Sequence, residues 1–177
     1  MLERRDLNIS NIISLARIIL VIPFFLLLIN RQDVSALIVG IIAAISDFFD
    51  GWFARKFGLI TELGKTIDPI GDKLLMAAGA VALFVRGDMP LWFFIFVFAR
   101  DIVILLGGFY MKRSTGRVVQ SNIFGKVAFA VTAVVILGVI ANVPHFIDYG
   151  YYIAALFLIL SSISYARFLI NFIKDKS

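Results

Sequence analysis

The stretch 47-DFFDGWFARKFGLITELGKTIDPIGD-72 decides the reading of this chain. It begins inside an apolar run, yet it carries four aspartates, Asp47, Asp50, Asp68 and Asp72. Ionisable groups in apolar spans are expensive and mark functional sites by default. Asp47 and Asp50 are three residues apart, and Asp68 and Asp72 are four apart, so on helices each pair shares one face. Pro69 suits the first turn of the second helix, where its missing N–H costs nothing. Gly58 and Gly64 frame a turn that returns this helix beside the first. Four carboxylates brought together in a low dielectric repel one another strongly. The economical way to neutralise them is a hard divalent cation, or two, and an oxygen-only ligand set favours Mg2+ or Mn2+ over zinc. Gly51 leaves room for a ligand at the backbone, and Arg55 and Lys65 supply counter-charge, which suits a diphosphate.

The rest of the chain explains where such a site would sit. Its 177 residues are 61% hydrophobic and 16% charged, with a mean hydropathy of +0.97. A soluble domain this short cannot hide that much apolar surface, whereas a bilayer accepts apolar helices of roughly 20 residues. Six stretches qualify, about 9–30, 34–54, 69–86, 90–111, 122–143 and 149–173. The expected fold is therefore all-α: a polytopic membrane protein of six transmembrane helices with a short surface segment at 1–8. The first stretch is too long for a signal-peptide core and lacks a small-residue cleavage site, so it reads as a true span. There is no cysteine, which excludes disulfides and thiolate metal sites, and the single His145 excludes a histidine-rich centre.

The formal charge of +5 reads as a topology signal or an anionic-lipid contact rather than a nucleic-acid footprint. Basic residues gather on one side of the six spans, and only Arg31 and Arg86 fall on the other. The positive-inside rule then predicts both termini and the 55–68 loop in the cytoplasm. No linker or low-complexity tract interrupts 1–177, which reads as one domain without an internal repeat. Trp52, Trp92, Tyr149, Tyr151 and Tyr152 read as interfacial aromatics.

The motif D-x-x-D-G-x-x-A-R, eight residues, then G-x-x-x-D-x-x-x-D, filled by Asp47, Asp50, Gly51, Ala54, Arg55, Gly64, Asp68 and Asp72, resembles the signature of the CDP-alcohol phosphotransferase family. The six-helix plan extends the likeness over nearly the whole chain. The resemblance implies an enzyme that moves a substituted phosphate from a CDP-linked donor to an alcohol and releases CMP. It implies that Asp47, Asp50 and Asp68 ligate metal, and that Asp72 completes the second metal site and is the candidate general base. It assigns donor contacts to Asp50, Gly51, Ala54, Arg55, Gly64 and Lys65. Asn11, Ser14 and Arg17 on one face of the first helix resemble the Asn…Thr/Ser…Arg pattern of bacterial members, which adds Asn11 and Arg17 to the donor site. A homodimer in the bacterial cytoplasmic membrane, with the site facing the cytoplasm, is expected on the same resemblance.

Arg117, Lys126 and Arg167 are candidates for binding an acceptor that carries its own phosphate. Glycerol 3-phosphate fits that requirement, with CDP-diacylglycerol as donor. Arg100-Asp101 stands mid-helix, where a local pairing or a link to Arg17 would meet its charge. The branch acting on glycerol 3-phosphate usually has Arg-Glu there, and Arg-Asp occurs in the branch that uses phosphatidylglycerol to make cardiolipin. Phosphatidylglycerol is thus the second acceptor, with inositol phosphate or serine behind it. A divalent-cation transporter is the competing class, but transport sites favour the bilayer midplane and these aspartates cluster beside one loop.

Overall fold

A computed structural model describes residues 9–57, 62–115 and 123–174, with side-chain detail for 16–46, 70–111, 113 and 123–172. Among the described residues every regular element is a helix, and the chain falls into two compact units, 1–87 and 88–177. The first unit holds α1 (Ile9–Ile29), α2 (Asp33–Phe57) and α3 (Glu62–Val85). The second holds α4 (Leu91–Thr115), α5 (Ile123–Ile140) and α6 (Tyr151–Lys174), the last preceded by a π-helical turn at Phe146–Gly150.

In the first unit α1 is the shared neighbour, packing along both α2 and α3. Its inward face is Arg17, Phe24 and Leu28, all buried. Its other faces carry Ile19, Ile22 and Leu26, and α2 adds Val34, Ile38, Ile41 and Ile45, all exposed. Exposed apolar stripes of this extent are a lipid-facing or partner-facing surface, not that of a soluble monomer. α1 runs through Pro23, which removes one intrahelical hydrogen bond. α3 begins at Glu62, seven residues before the expected 69, so Pro69 lies inside the helix and not in its first turn. One missing N–H interrupts a long helix at a single bond, and membrane helices tolerate that.

Each unit stops its helices in the same way. Arg31 and Asn142 both take φ +55° directly after α1 and α5. Around them Gln32 N–H donates to the Leu27 carbonyl and Val143 N–H to that of Gly138, the six-to-one bond of a helix terminus closed by a left-handed residue. Gly87, at φ +80°, ends α3 without side-chain penalty.

In the second unit α6 packs on α5 and on α4. Two glycines permit the approach. A Cβ on Gly138 would stand 2.3 Å from the Phe146 ring, and one on Gly107 would stand 2.7 Å from the Tyr165 hydroxyl. Tyr165 Oη donates to the Ile104 carbonyl at 3.0 Å, tying α6 to α4. Tyr151 departs from the interfacial expectation. It is buried, its ring lies 4.9 Å from that of Phe93, and its hydroxyl donates to the Asp88 carbonyl at 2.8 Å. That bond satisfies the polar end, so the residue serves as core. Trp92 and Tyr152 remain exposed and stack at 5.4 Å.

Among the described residues, 91–111, 123–140 and 146–172 are long and apolar enough to cross a membrane, and 16–29 and 33–46 are shorter apolar helices.

Candidate active site

The candidate site is built on the first unit. α2 carries Asp47, Asp50, Gly51, Ala54 and Arg55, and α3 carries Gly64, Lys65, Asp68 and Asp72. The expected helical spacing therefore holds in the backbone for both aspartate pairs. The connection at 58–61, which includes Gly58, lies outside the described residues, as do the side chains at 47–69.

An ion pair at the far end of the unit is a reference point for these positions. Arg86 Nη1 and Nη2 donate to Asp33 Oδ1 and Oδ2 at 2.5 and 3.1 Å, and Nη1 also donates to the Leu28 carbonyl at 3.1 Å. Arg31 Nη2 donates to the Arg86 carbonyl at 3.2 Å. The start of α2, the end of α1 and the end of α3 are thus fastened together. Asp47 lies 14 residues beyond Asp33, and Asp72 lies 14 residues before Arg86. At 1.5 Å per residue each is roughly 21 Å from the fastening. Asp50 and Asp68 are 17 and 18 residues from it, roughly 26 and 27 Å by the same rise. The four backbone positions therefore lie roughly 21 to 27 Å along their helices from the fastening.

Asp72 is the described member of the four. Arg17 Nη1 donates to its Oδ1 at 2.7 Å, from α1 to α3. The two ends of this pair differ: the Arg17 side chain is 1% exposed and that of Asp72 is 30% exposed. Arg17 is thus found against a motif aspartate. Asn11 lies in the first turn of α1, with its side chain outside the described set.

The acceptor candidates belong to the second unit. Lys126 and Arg167 are exposed on α5 and α6, which the 141–145 turn makes antiparallel neighbours. Lys126 is 14 residues from the end of α5 and Arg167 is 16 from the start of α6, roughly 21 and 24 Å along their own helices. Arg117 lies outside the described residues. The mid-helix charge on α4 is met locally: Arg100 Nη1 donates to Asp101 Oδ1 at 2.7 Å and Nη2 to Ser161 Oγ on α6 at 2.6 Å. Ser161 and the Asp33–Arg86 fastening were not singled out from the sequence. Their signals were present: a serine inside an apolar helix, and a lone acid and a lone base at apolar boundaries.

Asp47 and Asp50 stand on helical α2 and Asp68 and Asp72 on helical α3, and carboxylate oxygens are the donors a hard divalent cation prefers. The sequence profile of the CDP-alcohol phosphatidyltransferases matches residues 7–165. With this coverage, the chain belongs to the CDP-alcohol phosphatidyltransferase family, as its motif led us to expect. It is 31% identical over 180 aligned residues to the CDP-diacylglycerol–glycerol-3-phosphate 3-phosphatidyltransferase of Bacillus subtilis strain 168, covering 89% of this chain and 93% of that protein. It is 33% identical over 124 residues to the enzyme of the same name from Aquifex aeolicus, 68% of each chain. The CMP-forming cardiolipin synthase of Streptomyces coelicolor is 35% identical over 131 residues, 70% of this chain and 60% of that protein. Family and apolar helices together make this an integral membrane enzyme.

Proposed function

We propose that the chain transfers a phosphatidyl group from CDP-diacylglycerol to glycerol 3-phosphate, forming phosphatidylglycerophosphate and releasing CMP. The observation that carries this is the aspartate motif on α2 and α3, in one packed unit. The similarity to the Bacillus subtilis phosphatidyltransferase over nearly its whole length supports the choice of acceptor.

Asp47, Asp50, Asp68 and Asp72 would hold two divalent ions, Mg2+ or Mn2+. When bound, these ions offset the charge of the donor diphosphate and of the departing CMP. Gly51, Ala54 and Gly64 leave space for the nucleotide against the helices, with Asn11, Arg55 and Lys65 as polar contacts. Asp72 takes the proton of the acceptor hydroxyl as its oxygen attacks the phosphorus bearing the lipid. The new P–O bond forms, the P–O bond to the CMP phosphate breaks, and CMP leaves as an anion. Arg117, Lys126 and Arg167 bind the acceptor's phosphate.

The chain works in this reading as one catalytic domain with six spans, both termini and the site facing the cytoplasm of a bacterial cell. The copies pair as homodimers. The distribution of lysine and arginine supports the orientation.

Phosphatidylglycerol is the second acceptor, favoured by Arg100-Asp101 and by the likeness to the Streptomyces coelicolor cardiolipin synthase. CMP release by the purified protein, with CDP-diacylglycerol, Mg2+ or Mn2+ and one acceptor at a time, separates the two. Release with glycerol 3-phosphate alone supports the first reading. Release with phosphatidylglycerol alone replaces it with the second.

A further inference from the structure

Arg17 was expected to touch the donor, and its surroundings argue for another task. Among the described residues it is the one charged side chain that is fully buried. A guanidinium that meets a nucleotide phosphate has to present N–H groups to the space the nucleotide enters. Arg17 presents 1% of its side chain, and the carboxylate it binds is thirty times more open. The guanidinium therefore lies behind Asp72, and the carboxylate faces outward. α1 delivers Arg17 to this point through its contact with α3, on a helix whose Phe24 and Leu28 are also buried.

We infer that Arg17 is a positioning residue for Asp72: it fixes the carboxylate in place from behind and acts on the reaction only through it. The inference rests on the proposed role of Asp72 as base. The physics is specific to that carboxylate. A charge-assisted N–H···O bond of 2.7 Å is among the stronger orienting contacts available to a side chain. It also gives Asp72 a protein-borne positive partner, so this carboxylate's charge is balanced within α1 and α3. A base displaced by about 1 Å loses about 100-fold in rate. A donor contact would instead act on donor affinity, and that difference makes the two roles separable.

The test compares Arg17→Gln, Arg17→Lys and Asp72→Asn in the full chain in detergent. It reads kcat per donor-binding site, donor KM, CDP-diacylglycerol affinity by titration calorimetry with Mg2+, and the thermal midpoint. For Arg17→Gln, kcat falls about 100-fold. Donor KM and affinity stay within about twofold. Arg17→Lys recovers about tenfold of the loss, since an ammonium restores the charge but not the fork. Donor affinity weakened more than about fivefold, with kcat little changed, overturns the inference in favour of a donor contact. A kcat loss that Arg17→Lys leaves unrelieved overturns it in favour of simple structural support. If Arg17→Gln does not fold, the double variant Arg17→Gln/Asp72→Asn removes the unbalanced buried charge. Donor affinity in that variant equal to that of Asp72→Asn alone sustains the inference, and affinity weakened further than in Asp72→Asn overturns it. Asp72→Asn reports separately on the base: full turnover in that variant removes the role on which the inference rests, whereas a donor effect of Arg17→Gln alone leaves the base reading intact.

Discussion

Among its described residues the first unit holds two arginine–aspartate pairs, one toward each end, and they are built differently. Arg86 grips both oxygens of Asp33, donates to the end of α1 and is itself capped by Arg31. Both partners are largely enclosed, at 6% and 19% exposure. This is a fastening, in which one charge pair ties two helix termini together. At the other end Arg17 is more deeply buried than Arg86, yet its carboxylate partner is more open than Asp33. The same two residue types thus make a closed pair where helices must be held and a one-sided pair where a carboxylate must stay accessible. Exposure of the acid, more than the bond length, separates the two uses.

The largest expected effect lies at the open pair. Asp72→Asn should lower kcat per folded molecule by about 1,000-fold, within the range for loss of a general base. Turnover near that of the parent chain would remove the base, and the contrast between the pairs would collapse. Asp33→Asn should do the reverse. Breaking a buried pair costs about 3 kcal/mol, so unfolding should come markedly earlier while kcat per folded molecule changes less than about tenfold. Normal stability in that variant would show that the fastening holds nothing.

The second unit supplies finer tests. Gly138→Ala drives a methyl into the body of the Phe146 ring, whereas Gly107→Ala meets the hydroxyl end of Tyr165. Gly138→Ala should therefore cost about 2 kcal/mol by overpacking. Gly107→Ala should cost about 1 kcal/mol, the worth of the Tyr165 hydrogen bond it displaces. Thermal unfolding of the two side by side checks the order. The smallest effect is expected at Arg167→Ala, a rise of about tenfold in KM for glycerol 3-phosphate with kcat unchanged. An unchanged KM would remove Arg167 from the acceptor site.

Much of this protein is written in its sequence because the signals are local. Apolar runs near bilayer length specify helices whatever surrounds them, so all six were legible. The aspartate spacings were legible because helical periodicity alone puts three- and four-residue neighbours on one face. The start of α3 was not: Pro69 is a helix-start signal, but the helix continues back to Glu62. Tyr151 reads as an interfacial aromatic by composition and becomes core only because the Asp88 carbonyl meets its hydroxyl.

Tertiary structure decided what depends on partners distant in the chain. No local pattern pairs Asp33 with Arg86, Arg100 with Ser161, or Arg17 with Asp72, which stand 53, 61 and 55 residues apart. A charge within an apolar segment announces that it needs a partner, because leaving it alone is costly. Which partner it finds is settled by the packing of α1 on α3 and of α6 on α4. The sequence by itself determined the helices and the family; the packing determined that Arg17 meets Asp72.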